Sequence, residues 1–394
     1  MPHAFVLGML AVSLFLVGSA TSADSLAAQP NASAASNAAP SGPPPPVPPQ
    51  PVVAPPLPAA LALTVASPRE YQVFQRQTEY QGSVRVSGTV ASGKFVDVRL
   101  SGHPLKGDLG SRWRRLPVDG STHSFYDEIP TPAGGWYRIE LRATAPGLAD
   151  ENVTIEHVGV GEVFVGAGQS NSTSYGKIKT QPQSGMVSSF TGHEWKIADD
   201  PQDGSHDEHW WKARGGSFWP SLGDALYAHY HVPIGVAVTG NGGTKIEQWL
   251  PEAPIGLFAF TMTRVAQLGP RGFRALLWHQ GESDYNTPSE EYAAGLAHII
   301  QTSRLQAGWA FPWFVAQASY NAPNVPFSKL PRDGQKRIWD LGLALPGPDT
   351  DTLIGDYREP EGAHMTPKGL KEHGELWAKV IETYLDPLLA AGKR

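Results

Sequence analysis

The sequence predicts an α/β protein in which an open, mostly parallel, three-layer sheet follows a small antiparallel β-sandwich. From about residue 160, short and wholly apolar runs alternate with helical patterns, which is typical of strands buried on both faces. Between residues 61 and 158, apolar and polar residues alternate with period two, and turns such as Ala133-Gly134-Gly135 separate the segments. These patterns place the β-sandwich at 61–158 and the α/β domain at 159–394.

The β-sandwich segment has short strands that each present one apolar face. Val84 and Val86 alternate with polar neighbours, and residues 95–100 (FVDVRL) and 136–141 (WYRIEL) repeat the pattern. We find no combination of catalytic side chains in this segment. It is therefore expected to be an accessory domain.

The α/β segment contains five apolar runs and at least three helices with terminal signals. The runs predicted as central strands are 162–166, 234–238, 273–278, 313–316 and 352–355. Thr287-Pro288-Ser289-Glu290 predicts a capped helix start, Thr366-Pro367 opens another helix, and the stripe from Phe258 to Leu268 ends at Gly269. In such sheets ligands bind at the carboxyl ends of the strands, so the loops there are the candidate site.

The first sixty residues are not expected to join either domain. Residues 4–20 form an apolar run typical of a secretory signal over 1–23, with cleavage after Ala20 or Ala23, although an uncleaved anchor is the alternative. Residues 24–60 are rich in alanine and proline and predict a disordered linker with polyproline II character. Either reading of the N-terminus places the protein outside the cytoplasm, secreted or periplasmic.

Composition excludes several classes of function. The 394 residues carry a formal net charge of −6 and no Lys/Arg-rich run, which argues against nucleic acid as a partner. The absence of cysteine excludes disulfides, thiolate metal sites, cysteine nucleophiles and a lipoprotein anchor. No Gly-rich segment fits a dinucleotide or P-loop fingerprint, so no cofactor is expected.

Residues 203–211 (DGSHDEHWW) hold two histidines and three acids, but they lack the H-E-x-x-H spacing of a helical zinc site. We expect a polar loop over the substrate cleft there rather than a metal site, with Trp210 and Trp211 as sugar platforms.

Four segments that follow predicted strands hold the residues needed for acyl transfer from a serine. They are GAGQSN (166–171), GNGGTKIEQW (240–249), HQGESD (279–284) and DYREPEGAHMT (356–366). Ser170 stands at a strand–helix junction, where its hydroxyl points into the cleft and its own N–H can face an oxyanion. The G-x-S-x-G elbow is missing, because residue 172 is serine.

The remaining catalytic roles fall to the later segments. His364 is the candidate base, and Glu361 three residues before it is the candidate acid, with Asp356 and Glu359 as open alternatives. Besides the Ser170 N–H, the backbone of Gly242 and Gly243 and the side-chain amide of Gln280 are candidate oxyanion donors. Contacts to substrate are expected from the following residues: Gln169, Asn171, Glu282, Trp219 and Trp249.

The blocks GQSN, GGTKIEQW, WHQGESD and EGAHMT, in this order, resemble those of the SGNH-type carbohydrate esterases, in the sialate O-acetylesterase and acetylxylan esterase branch. The resemblance implies a flavodoxin-like sheet, Ser170 as nucleophile, His364 as base and Gln280 in the place of an oxyanion asparagine. The family has aspartate in a D-x-x-H arrangement, whereas this chain has Glu361.

The expected activity is therefore removal of O-acetyl groups from an oligo- or polysaccharide through an acetyl-serine intermediate, with no metal or cofactor. Two alternatives use the same sequence features. An O-acetyltransferase would employ the same triad, and a non-catalytic glycan-binding protein would need only the cleft and the proline stalk.

Overall fold

The computed structural model describes residues 61–203, 206 and 214–392, which contain fourteen strands and five α-helices. The strands are β1 (Thr64–Ser67), β2 (Gln72–Gln75), β3 (Gln81–Thr89), β4 (Phe95–Pro104), β5 (Arg114–Pro117), β6 (Ser124–Pro132), β7 (Gly134–Ala143), β8 (Glu151–Gly168), β9 (Val187–Phe190), β10 (Trp195–Ile197), β11 (Ile234–Val238), β12 (Ala275–His279), β13 (Trp313–Gln317) and β14 (Leu345–Asp349). The helices are α1 (Trp219–Tyr230), α2 (Leu257–Leu268), α3 (Ser289–Ala307), α4 (Lys329–Asp340) and α5 (Pro367–Ala390).

The main sheet has the order β10-β9-β11-β8-β12-β13-β14. All of its neighbouring strands are parallel except β10 and β9. The predicted parallel sheet is thus confirmed, and the carboxyl ends of β8, β11, β12 and β13 lie at one edge. The loops after these strands meet there.

Strand β8 joins the two predicted domains. Its 18 residues run across the expected boundary at 158/159, and every residue from Val158 to Gly168 is buried. Its first half pairs antiparallel with β7, and its second half pairs parallel with β11 and β12. The described residues from 61 to 392 accordingly belong to one compact unit.

The strands before β8 have the alternation that the sequence predicts. One group pairs antiparallel in the order β1-β3-β6, and the other links β5, β4, β7 and β8 antiparallel. In β3 the side chains of Val84 and Val86 are fully buried, whereas Gln81 and Thr89 at its ends are exposed.

A buried ion cluster connects β2 to the parallel sheet. Glu162 is fully buried and accepts hydrogen bonds from Arg76 Nε (2.7 Å) and Arg274 Nε (2.8 Å). Burial alone would raise the pKa of Glu162, but the two guanidinium groups hold it below its usual value. A buried charge needs such partners, so this cluster fixes β2 against β8 and β12.

Helices pack on both faces of the parallel sheet. Val236 and Leu277 lie in one apolar cluster together with residues of α1 and α5, such as Leu222 and Trp377. Their neighbours in the strands, such as Leu276, belong to a second cluster with residues of α2 and α3. Successive residues of each strand therefore point to opposite faces of the sheet, and both faces are covered by helices. This is why the strands contain continuous apolar runs.

One predicted strand is wrong. Residues 352–355 do not form a strand, because short 3-10 turns occupy 350–352 and 355–357, and the edge strand β14 precedes them. The Asp349 side chain accepts a hydrogen bond from Asp351 N and ends the strand, and Gly355 has φ +60°. Two of the predicted helix ends are confirmed. Helix α2 ends at Gly269, and the Thr366 side chain caps α5 by accepting a hydrogen bond from Gly369 N.

The predicted signal over 1–23, the linker over 24–60 and both Trp210 and Trp211 lie outside the described residues. Within the described ranges, no helix is long and apolar enough to cross a bilayer.

Candidate active site

The turn after β8 places Ser170 at the carboxyl edge of the sheet. Gly168 has φ +130°, and a Cβ there would come within 2.0 Å of the His279 carbonyl oxygen, so only glycine fits. The chain then turns into a short 3-10 segment, Ser170–Ser172. This geometry exposes the Ser170 side chain to a cleft while leaving the residue 6% accessible.

That cleft, of about 300 Å³, brings together residues from all four predicted segments. Its lining consists of Gln169, Ser170, Tyr175, Gly242, Gly243, Glu282, Ser283, Asn321, Ala363 and His364. Ser170 and His364 line the same cleft, as the sequence predicted. No hydrogen bond joins the two side chains in the described structure, and such catalytic bonds commonly tighten only when substrate is bound.

The loop that carries His364 is held by buried polar contacts. The carbonyl oxygen of Ala363 accepts hydrogen bonds from Arg358 Nη1 (2.8 Å) and Asn171 Nδ2 (3.0 Å). Arg358 is itself buried, and its other nitrogens donate to the carbonyl oxygens of Leu353 and Thr350. The His364 ring therefore stands on a fixed backbone, with Tyr175 5.1 Å away between ring centroids.

The electrostatic surroundings of His364 suit a general base. Burial lowers the pKa of His364, and the nearby Glu361 carboxylate opposes this shift. A lowered pKa keeps the imidazole neutral at pH 7, and a neutral imidazole can accept the proton of a serine hydroxyl.

The structure distinguishes the three candidate acids only in part. Asp356 has a side chain that is 92% exposed, at 3.8 Å from Lys368, and is the weakest candidate. Glu359 and Glu361 each lie 3.0 Å from Lys177 Nζ. No hydrogen bond from the His364 ring to a carboxylate is present among the described residues, so Glu361 acts on His364 through its charge at this geometry.

We expect Glu361→Gln to shift the acid limb of the pH profile of kcat/KM to lower pH. The Glu361 charge raises the pKa of His364, so its removal lowers that pKa and keeps the base neutral at more acidic pH. Hydrolysis of an acetyl ester measured between pH 4 and 8 would show the shift, with Glu359→Gln as the matched variant that shifts the limb less. A limb that moves to higher pH in Glu361→Gln would contradict the assigned direction.

Ser170 and the glycine pair, whose backbone N–H groups are the predicted oxyanion donors, line the cleft. Gly243 has φ +71°, and its missing side chain would point into open space beside the cleft. A Cβ on Gly242 would meet Tyr175 Oη at 2.1 Å. The pair therefore allows the backbone to border the cleft, as predicted.

Gln280 does not fill the predicted role in this structure. Its side chain is fully buried, and Nε2 donates to Thr244 O (3.0 Å) and Asp284 Oδ2 (2.5 Å), while Oε1 accepts from Tyr292. Both amide hydrogens are thereby used within the protein, and Gln280 is not among the lining residues. It supports the loop after β11 instead of facing an oxyanion.

The two tryptophans expected at the substrate are core residues. Trp219 is fully buried, and its indole donates to Ser172 O, while Trp249 donates to Thr244 Oγ1 and packs edge-on against Trp278. They support the loops of the cleft from below. The expectation that they contact sugar is wrong for this structure, because neither borders the cleft.

Gln169, Asn171 and Glu282 lie at the site in different ways. Gln169 lines the cleft, and its Oε1 accepts from Ser283 N at 3.0 Å. Asn171 is a buried tether, since Nδ2 donates to Glu282 Oε1 (2.9 Å) as well as to Ala363. Glu282 lines the cleft and is 4% exposed, and burial raises its pKa to about 7.

Sequence reasoning missed four residues of the site. Tyr175, Ser283 and Asn321 line the cleft, and Lys177 pairs with both carboxylates. Asn321 follows β13, so applying the strand-end rule to that strand would have found it. The sequence has no comparable signal for Tyr175 or Lys177.

The loop over 203–211 lies mostly outside the described residues. Within the part of the chain that the structure covers, no group of three or more His, Asp or Glu side chains could hold a metal ion.

A serine and a histidine in one cleft, at the carboxyl edge of a parallel sheet, are an arrangement that serine hydrolases of several folds share, the SGNH type among them. Residues 160–381, more than half of the chain, match the model of the family described as carbohydrate esterase, sialic acid-specific acetylesterase. The chain belongs to this family and is a carbohydrate O-acetylesterase. Comparison with curated proteins finds no match.

Solved structures provide a second comparison. A carbohydrate acetylesterase from Xanthomonas citri is 21% identical, with a TM-score of 0.54, and the match covers 82% of this chain and 74% of that one. A protein from Arabidopsis thaliana is 18% identical (TM-score 0.44, covering 57% and 98%), and an acetyl xylan esterase from Geobacillus stearothermophilus is 14% identical (TM-score 0.34, covering 57% and 94%). The first likeness shows a shared fold, whereas the other two are too distant to carry an argument.

Proposed function

We propose that this protein is an exported serine esterase that removes O-acetyl groups from a carbohydrate through an acetyl-Ser170 intermediate. The observation that supports it most is the meeting of Ser170 and His364, which are far apart in sequence, in one cleft. The lowered pKa of His364 fits the role of a base.

In the proposed reaction, Ser170 Oγ attacks the acetyl carbonyl carbon while His364 takes the hydroxyl proton. The tetrahedral oxyanion receives hydrogen bonds from the backbone N–H groups of Ser170 and Gly243. His364 then gives its proton to the sugar oxygen, and the C–O bond breaks. A water molecule, activated by the same imidazole, hydrolyses the acetyl-serine to acetate.

Glu361 is the proposed acid of the triad. Its charge stabilises the imidazolium that forms in each half-reaction, and Lys177 holds its carboxylate in place at 3.0 Å. The pKa of His364 is nevertheless lowered, first because the ring is buried, with smaller lowering contributions from Arg358 and Lys177.

The finer features of the architecture belong to the same proposal. The strands before β8 would form the antiparallel accessory β-sandwich, and the parallel sheet would be the middle layer of a flavodoxin-like three-layer domain. The apolar N-terminus would direct export to the periplasm or the exterior, where acetylated glycans occur. The description of the matched family and the carbohydrate acetylesterase from Xanthomonas citri favour an O-acetylated sugar as substrate.

Two measurements test the proposal. Purified protein incubated with an acetylated xylan or sialic acid should release free acetate, and rapid acid quenching followed by mass spectrometry should find an acetyl group on the peptide containing Ser170. An acceptor glycan added to the reaction separates hydrolysis from transfer. Acetylated acceptor in place of free acetate would show a transferase, and glycan binding without either product would show a non-catalytic protein.

A further inference from the structure

Two buried side-chain atoms, one of them on a residue that lines the cleft, have no hydrogen-bond partner in the described structure and no part in the mechanism above. They are Glu282 Oε2 and His279 Nδ1. Glu282 is 4% exposed and His279 2%, and His279 Nδ1 lies 3.5 Å from Glu282 Oε1. Buried polar atoms in native proteins nearly always have partners, so this pair calls for a physical account.

The hydrogen bonds on the far side of His279 fix its tautomer. The Thr350 hydroxyl has one proton and donates it to Gln317 O at 3.1 Å. His279 Nε2 lies 2.9 Å from the same hydroxyl oxygen, and with the hydroxyl proton directed at Gln317 O it is the donor of that bond. Burial lowers the pKa of His279 to about 3, so the ring carries a single proton, on Nε2, and Nδ1 presents a lone pair.

An ionised Glu282 is incompatible with that lone pair. A carboxylate offers only acceptors, and Oε1 would face another acceptor at His279 Nδ1 while Oε2 stayed unpartnered and charged. A proton on Oε1 removes the conflict, because a carboxylic hydroxyl can donate to His279 Nδ1 and still accept from Asn171 Nδ2 at 2.9 Å. The 3.5 Å separation is at the limit of hydrogen-bond reach.

We propose that Glu282 is a neutral carboxylic acid that donates a hydrogen bond to His279 Nδ1 and, through Asn171, positions the loop of His364. The resulting chain of hydrogen bonds runs from β13 to the catalytic histidine. Its members, in order, are Gln317 O, the Thr350 hydroxyl, the His279 ring, the Glu282 carboxyl group, the Asn171 amide and Ala363 O. Every donor in it has one acceptor, provided that Glu282 keeps its proton.

The groups around Glu282 are consistent with a retained proton. Burial and Asp351 after β14 raise the pKa of Glu282, whereas the Asn171 amide, the backbone N–H of Glu282 itself and Arg358 lower it. His364 faces the same cleft and is neutral under working conditions. Burial outweighs the opposing contribution of Arg358 and of the Asn171 hydrogen bond.

The test compares Glu282→Gln with Glu282→Ala in the full-length protein. Glutamine is neutral at every pH. Because Asn171 and His279 both face Oε1 of Glu282, the amide can make one of the two contacts, either accepting from Asn171 through its oxygen or donating to His279 through its nitrogen. We expect Glu282→Gln to keep more of the wild-type kcat/KM at pH 6 than Glu282→Ala does, and to lose the decline above pH 7 that ionisation of Glu282 would cause in wild type. Glu282→Ala should lose about 10- to 100-fold, mainly in kcat, because it releases the tether of the His364 loop. If Glu282 only filled space, replacing it would leave the pH profile unchanged, and glutamine would restore no more activity than alanine.

A spectroscopic measurement keeps the inference testable without activity. The ¹⁵N NMR signals of His279, assigned through His279→Gln, should show an Nε2–H tautomer that does not titrate between pH 5 and 8. The infrared difference spectrum between wild type and Glu282→Gln should contain a protonated carboxyl band below pH 7. An Nδ1–H tautomer, or a Glu282→Gln variant as impaired at pH 6 as Glu282→Ala, would overturn the inference.

The activity readout of this inference rests on the proposed function, but the spectra do not. If the wild-type protein released no acetate while His279 showed the expected tautomer, the proposed function would fail and the protonated Glu282 would stand. If Glu282→Ala did not fold, as judged by circular dichroism, the glutamine variant and the spectra would decide the matter.

Discussion

Replacing Ser170 with alanine is expected to lower kcat/KM for an acetylated sugar and for an aryl acetate by about 10⁴-fold or more. Alanine cannot form the acetyl-enzyme, so only the oxyanion donors and substrate binding would continue to accelerate attack by water. The measurement is acetate or phenol release under kcat/KM conditions at pH 7, together with the disappearance of the trapped acetyl-peptide.

The fold should tolerate this change. Among the residues that the structure describes, none forms a hydrogen bond with Ser170 Oγ, so removing the hydroxyl leaves no buried partner unsatisfied. Ser283→Ala is the matched control, because Ser283 lines the same cleft and its backbone, not its hydroxyl, binds Gln169. It should lose less than about 10-fold. Equal rates for wild type and Ser170→Ala would remove Ser170 from the reaction.

The sequence predicted the part of the site that depends on backbone placement. Apolar runs identified β8, β11 and β12, and the carboxyl ends of parallel strands must share one edge, so the loops with Ser170, Gly243 and Glu282 had to meet. His364 was placed by the same rule after a strand predicted at 352–355, which the structure does not contain. The part of that prediction that is confirmed is its position in a loop just before a helix, since Thr366 and Pro367 begin α5.

The parts that failed depend on side-chain direction, which spacing along the chain does not determine. Gln280 follows β12 directly and is a suitable donor by residue type, yet its side chain turns inward, because Thr244 and Asp284 satisfy it there. Tryptophan likewise occurs both in sugar-stacking surfaces and in hydrophobic cores, and Trp219 and Trp249 are core residues. The sequence also could not show Lys177, whose pairing with Glu361 exists only in the folded chain.

Replacing His364 with asparagine is expected to lower kcat/KM by about 10³- to 10⁴-fold and to abolish the acid limb of its pH profile. Asparagine is close in size to the imidazole but cannot take the Ser170 proton, and the backbone contacts of Arg358 and Asn171 to Ala363 remain. His298→Asn is the matched control, since that histidine is 47% exposed and pairs with Glu252 on the surface. It should stay near wild type.

The double variant Ser170→Ala/His364→Asn gives the sharper result. A nucleophile and its base act as one unit, so removing both should cost no more than removing Ser170 alone. Two independent contributions would instead multiply to a loss of about 10⁷-fold or more. A multiplicative loss would mean that His364 assists the reaction without Ser170, for example by activating water directly. Saturation at the level of the single variants would establish that the imidazole works through the Ser170 hydroxyl, even though the substrate-free structure has no bond between them.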